Sequence, residues 1–78
     1  MATITIYSTP TCPYCKQTKQ FLDDNNIAYT DIDVSSDATK AQEMIEKSGQ
    51  MGVPVIDIDG DIIVGFDQAR LSEKLGIN

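Results

Sequence analysis

Ile4-Thr5-Ile6-Tyr7-Ser8-Thr9-Pro10-Thr11-Cys12-Pro13-Tyr14-Cys15 is the stretch from which the fold of this chain is read. Ile4 and Ile6 alternate with polar residues, the period of a half-buried strand, expected over Ala2–Tyr7. Ser8 to Thr11 is a loop, because Pro10 disfavours helix at the residue before it. Pro13 suits the first position of a helix, where its fixed φ is already correct and its missing N–H is not needed. Cys12 is then the N-cap. The only two cysteines of the chain thus stand at a helix start, separated by two residues. A strand that delivers a C-x-x-C to a helix N-terminus suits the making and breaking of disulfides.

Working outward, the first helix runs through Phe21 and Leu22 and stops near Asp23-Asp24-Asn25-Asn26. Its inward stripe is Cys15, Thr18, Phe21 and Leu22. Ile27 to Val34 reads as a second strand. Ser35-Ser36-Asp37 caps a second helix over about Ala38–Lys47, with Ala41, Met44 and Ile45 inward and Ser48-Gly49 at its end. Val53 to Ile58 is a third strand, and Asp59-Gly60 is a two-residue hairpin turn. Asp61 to Val64 returns as the fourth strand. Asp67 caps a last helix with Leu71 and Leu75 on one face and Gly76 at its end. The order is β-α-β-α-β-β-α. Two strands joined through a helix are expected to be parallel, and the last two form an antiparallel hairpin. The fold class is therefore α/β, a mixed four-stranded sheet flanked by three helices in a single domain over residues 1–78.

Composition narrows the partners. Six basic and twelve acidic residues give a formal charge of −6. That argues against nucleic acid and anionic membrane surfaces, which basic patches attract. The acid gathers in Asp31, Asp33 and Asp37 and in Asp57, Asp59 and Asp61, read as solvated edges. No stretch approaches the roughly 20 apolar residues of a membrane helix, and the N-terminal residues carry no secretory signal pattern. A cytoplasmic location follows as the expectation. Structural disulfides are rare there, so a C-x-x-C is read as redox-active or metal-binding. Structural zinc takes four Cys or His ligands. Two cysteines and no histidine fall short, so a zinc site would need a second subunit or carboxylates, and an iron–sulfur cluster would bridge a dimer interface. No metal and no bound cofactor are expected. No exposed apolar helix face points to an obligate dimer, so a monomer is expected.

The chemistry follows from position. A thiol attacks a disulfide only as its thiolate. A side chain at a helix N-cap faces the positive end of the helix dipole, an effect of up to about 2 kcal/mol. The N–H groups of Tyr14 and Cys15 are unspent within the helix and add charge-assisted bonds. Both favour the Cys12 thiolate, and Lys16 and Lys19 are near in sequence. Cys15, one turn in, is more buried and stays a thiol. Cys12 is therefore the nucleophile and Cys15 the resolving residue. Tyr14 lies on the rim where a substrate could pack. The residues themselves leave the Val53–Pro54 bond trans, the commoner isomer.

Taken together these residues resemble the glutaredoxin family. The resemblance spans nearly the whole chain: Tyr7-Ser8, Cys12-Pro13-Tyr14-Cys15, Met44-Ile45 with Ser48-Gly49, Val53-Pro54 and Gly65-Phe66-Asp67. It implies a minimal thioredoxin fold and a dithiol oxidoreductase acting on protein disulfides or glutathionylated proteins, with glutathione as co-substrate. It implies a cis Val53–Pro54 bond against the active site. Val53 would offer its backbone N–H and C=O to the peptide-like stem of a substrate. Asp67 would receive the amino group of glutathione, and Tyr14, Pro54 and Phe66 would complete the binding residues. Four positions depart from the family pattern. Thr9 stands where a lysine is usual, Gly52 where Thr precedes Val-Pro, Val64 in the usual Gly-Gly, and Gln68 at the usual second Asp. The missing lysine removes a contact typically worth about 1.5–3 kcal/mol, for which Gln50 and Lys47 are the nearest substitutes. These departures resemble the glutaredoxin-like redoxins that take electrons from thioredoxin reductase and serve ribonucleotide reductase. Gly65-Phe66 also leans that way, whereas Pro13-Tyr14 does not.

Overall fold

The computed structural model describes residues 3–76. Strand β1 is Ile4–Ser8, helix α1 Pro13–Asp24, strand β2 Thr30–Asp33, helix α2 Ala38–Ser48, strand β3 Val55–Ile58, strand β4 Asp61–Val64 and helix α3 Gln68–Leu75. The sheet order is β2-β1-β3-β4. β1 pairs with β2 in parallel, placing Tyr7 opposite Ile32, and with β3 antiparallel, placing Ile6 opposite Ile56. β3 pairs antiparallel with β4, Ile56 opposite Ile63. This is the mixed four-stranded sheet with three helices that the sequence pattern implies.

The two-residue period of the strands builds two cores. Ile4, Ile6, Ile56, Ile58 and Ile63 face one way and bury against Leu22 of α1 and Leu71 of α3. Tyr7 and Val55 face the other way and bury against Met44 of α2, joined by Ile32, Val34, Ile45, Val53 and Ile62. α1 and α3 thus cover one face and α2 the other. Of the stripe expected on α1, Cys15, Thr18 and Leu22 are fully buried, and Phe21 is partly buried against the first core.

Two strand starts differ from expectation, each for a local reason. β2 is only Thr30–Asp33, because the chain before it is still closing α1. Asn26 stands at φ 57° and Ile27 N–H donates back to the Leu22 carbonyl at 2.9 Å. β3 begins at Val55 rather than Val53, since Pro54 has no N–H for a ladder and Val53 stands off the sheet. β1 extends to Ser8. The expected start at Ala2 lies outside the described residues. Asp59 and Gly60 make the hairpin with φ of 51° and 95°, the two left-handed residues such a turn requires.

Of the aspartates read as solvated edges, Asp31, Asp37, Asp59 and Asp61 are exposed, and all six also make local bonds. Asp37 accepts the Lys40 N–H at 3.1 Å and caps α2. Asp33 accepts the N–H and hydroxyl of Ser35. Asp57 accepts Lys47 Nζ at 2.8 Å and the Gly60 N–H at 2.8 Å. Asp59 accepts the Thr3 N–H at 2.8 Å, and Asp61 pairs with Lys74 at 3.2 Å. Asp31 joins Lys19 at 2.7 Å and buried Ser8 at 2.7 Å. Among the described residues no helix is long and apolar enough to cross a membrane.

Leu22 is the side chain by which α1 is fixed to the sheet. Leu22→Ala is expected to cost about 2–5 kcal/mol of unfolding free energy. Val64→Ala, at a half-exposed position, is expected to cost under about 1 kcal/mol. Urea denaturation of the two variants checks the contrast.

Candidate active site

The site begins with how β1 ends. After Ser8 the chain turns through Thr9-Pro10-Thr11, with the Cys12 N–H donating to the Thr9 carbonyl at 3.3 Å. Cys12 is the N-cap of α1, extended at φ −88°, ψ 114°, with Pro13 as the first helical residue. The Cys12 carbonyl accepts the Lys16 N–H at 3.2 Å as the helix begins. The Cys15 N–H donates to Cys12 Sγ at 3.1 Å. A sulfur therefore fills the place that a serine or aspartate oxygen takes at an ordinary N-cap. A thiolate there gains a charge-assisted bond and the favourable end of the helix dipole.

The two thiols have different surroundings. Both are free; Cys12 is half-exposed and Cys15 fully buried. Burial, and then its hydrogen bonding with the Cys12 side chain, push the Cys15 thiol up to about 11. A backbone contact from Thr9 and the Lys19 ammonium oppose the shift without cancelling it. The geometry places an accessible sulfur in front and a buried one behind it.

A second edge faces Cys12. The Val53–Pro54 bond is cis, as the family resemblance implies and contrary to the trans isomer read from the residues alone. Cys12 Sγ lies 3.9 Å from the Val53 carbonyl oxygen. Pro54 is buried, and its carbonyl accepts the Gly65 N–H at 2.8 Å. That bond ties the end of β4 to the same edge. Gly65, at φ 80°, turns the chain toward α3. Two residues on, Asp67 caps α3 by accepting the Arg70 N–H at 3.1 Å. Asp67 is exposed, so a carboxylate oxygen remains for a ligand. Tyr14 is 61% exposed on the first turn of α1.

Cys12, Val53 and Pro54 are thus brought together directly, and Gly65 links Asp67 to them. Phe66 is placed differently. Its ring packs edge-on against Phe21 at 6.1 Å and belongs to the first core. The two proposed substitutes for the missing lysine are also committed elsewhere. Lys47 is paired with Asp57 and lies 5.6 Å over the Tyr7 ring; these partners raise its pKa, the Asp57 bond most. The Gln50 side chain bonds to Gly52.

Sequence reasoning missed two polar arrangements near the site. Ser8, Asp31 and Lys19 join β1, β2 and α1 behind Cys15. The buried Tyr7 hydroxyl donates to Glu43 at 2.9 Å and holds α2. Their members lie far apart in sequence, and only the sheet register and the packing of α1 and α2 join them. Among the described residues no group of three or more His, Cys, Asp or Glu side chains could hold a metal ion.

Comparison with known proteins gives a consistent result. The family model for glutaredoxin matches residues 4–63. An uncharacterized glutaredoxin-like 8.6 kDa protein from the rubredoxin operon of Clostridium pasteurianum is 53% identical over 72 residues, 92% of this chain and 96% of that one. Glutaredoxin 3 of Escherichia coli is 39% identical over 76 residues, 97% of this chain and 92% of that one. A crystal structure of a mutant of the thioredoxin-like protein BC3987 superposes with a TM-score of 0.92 at 35% identity, with both chains fully covered. The thioredoxin-like sheet, the paired cysteines at the helix start and these relatives agree, and the chain belongs to the glutaredoxin family.

Proposed function

We propose that this protein is a dithiol oxidoreductase that reduces protein disulfides and glutathione mixed disulfides through Cys12 and Cys15. The observation that carries the reading is the 3.1 Å bond from the Cys15 N–H to a half-exposed Cys12 sulfur, backed by a buried Cys15 thiol. Cys12 thiolate attacks one sulfur of the substrate disulfide. The other sulfur leaves as a thiolate and takes a proton from water. Cys15 then gives its proton to solvent and attacks Cys12 Sγ as the thiolate; the second substrate sulfur leaves as a thiolate, takes a proton from solvent, and a 12–15 disulfide remains. Two electrons pass from the dithiol to the substrate, so no organic cofactor is required. Alternatively, glutathione attacks the intermediate in place of Cys15.

In this reading the substrate's extended backbone lies against Val53, whose C=O faces Cys12. Tyr14 packs on the rim, and the free Asp67 oxygen receives an amino group. The protein acts as a monomer in the cytoplasm, where thiols are kept reduced. Glutathione is the electron source by family likeness. A specific observation favours a second reading, reduction by thioredoxin reductase. Lys47 and Gln50, which could have replaced the missing lysine as glutathione contacts, are both held by other partners.

Cys12→Ser is expected to abolish disulfide reduction. Cys15→Ser is expected to keep the first step and accumulate a Cys12 mixed disulfide. Mass spectrometry of each variant after exposure to a disulfide checks both, and full activity in Cys12→Ser would reverse the assignment. For the reductant, the oxidised protein is supplied either with glutathione and glutathione reductase or with thioredoxin reductase, and NADPH use is followed. Turnover is expected with glutathione; turnover with thioredoxin reductase alone would establish the second reading.

A further inference from the structure

Residues 49–54 join α2 to β3 and carry Val53, yet they lie outside the sheet ladders. Side chains supply their order. Ser48 Oγ donates to the Met44 carbonyl at 2.8 Å and accepts the Gln50 N–H at 3.4 Å. The Gln50 side-chain amide then closes on Gly52 with two bonds. Gln50 Nε2 donates to the Gly52 carbonyl at 2.9 Å, and the Gly52 N–H donates to Gln50 Oε1 at 2.9 Å. The amide pairs with Gly52 much as a neighbouring strand would.

This clamp explains the glycine. The φ of Gly52 lies outside the left-handed region, so the backbone does not require glycine there. A Cβ at position 52 would meet Gln50 Oε1 at 2.7 Å, with Gln50 Cδ and Nε2 next at 3.6 and 3.7 Å. The atom in the way is the end of a side chain, so a larger residue would expel the amide rather than break the loop. A side chain at 52 and the Gln50 clamp exclude one another.

An uncommitted amide beside Val53 would be an N–H donor for a carboxylate. Here one N–H of that amide and its oxygen are spent on Gly52, which holds the side chain in the loop and away from a ligand, and the nearby Lys47 ammonium is held by Asp57. The neighbouring Met51 is 77% exposed and offers an apolar contact instead. We infer that Gln50 and Gly52 form a selectivity lock. The clamp holds the amide back from disulfides that carry a carboxylate near the reacting sulfur, and leaves the Val53 edge open to the extended backbone of a protein disulfide. This inference rests on the dithiol reading above and names the residues that set its substrate class.

The test uses the full chain with Cys15→Ser, in which the Cys12 mixed disulfide persists. Equilibrium constants for mixed-disulfide formation are measured by mass spectrometry with glutathione disulfide and with hydroxyethyl disulfide, which has no carboxylate. Their ratio cancels the reactivity of Cys12 itself. Gly52→Thr is expected to raise the ratio about tenfold, the effect of one charge-assisted hydrogen bond. Adding Gln50→Ala is expected to return it to the starting value. Gly52→Ala, which adds only the colliding Cβ, serves as a second variant. An unchanged ratio in both Gly52 variants, or a gain that survives Gln50→Ala, overturns the lock while leaving the dithiol reading intact. Failure of Cys12 to form either mixed disulfide overturns both.

Discussion

Everything in the site depends on a sulfur standing where a helix needs an N-cap. The first N–H groups of any α-helix lack partners within it. In α1 one of them, that of Cys15, is satisfied by Cys12 Sγ. The bond serves two ends. It completes the helix start and surrounds a nucleophile with positive partial charge. Because the two cysteines are three positions apart, the same turn puts the second sulfur behind the first, in the protein interior. Pro13 fits because the first helical position requires no N–H.

That cap is held in place by the sheet rather than by α1 alone. β1 is central, with β2 on one side and β3 on the other, so its end is anchored from both sides. Leu22 and Thr18 bury the helix against it. On the opposite side of the site, Pro54 is fixed between the core and the Gly65 N–H. The nucleophile and the Val53 edge therefore belong to one rigid arrangement, and the Gln50 clamp extends that order into the loop before Val53. Lys47 and Asp57 likewise tie α2 to β3, lowering the Asp57 carboxyl through their hydrogen bond.

The sequence revealed most where the signal is local. Pro13 after Cys12, Asp37 and Asp67 at helix starts, and Asp59-Gly60 between apolar runs each state their role within a few residues, and each is found as read. The alternation of Ile4 and Ile6 likewise marked a half-buried strand, and both bury in the first core. What stayed hidden depends on register or on side-chain reach. The partners of Asp31 stayed hidden because Ser8 and Lys19 meet it only through the β1–β2 pairing and the packing of α1. Gln50 looked available because nothing in the order Gln-Met-Gly shows that the amide folds back two residues. The isomer of Val53–Pro54 was legible from family likeness and not from residue preference.

The central claim is that one helix turn makes two chemically different thiols from two identical side chains. Residue-resolved alkylation of the reduced protein across a pH series tests it most directly, with mass spectrometry assigning each label. Only a thiolate alkylates readily, and the Cys15 thiol is pushed up to about 11. Two units below that value only about 1% of Cys15 is ionised. The account predicts that Cys12, the accessible sulfur, is labelled first, with Cys15 labelling only as the pH climbs toward 11. Equal labelling of the two cysteines near neutral pH, or earlier labelling of Cys15, would contradict it.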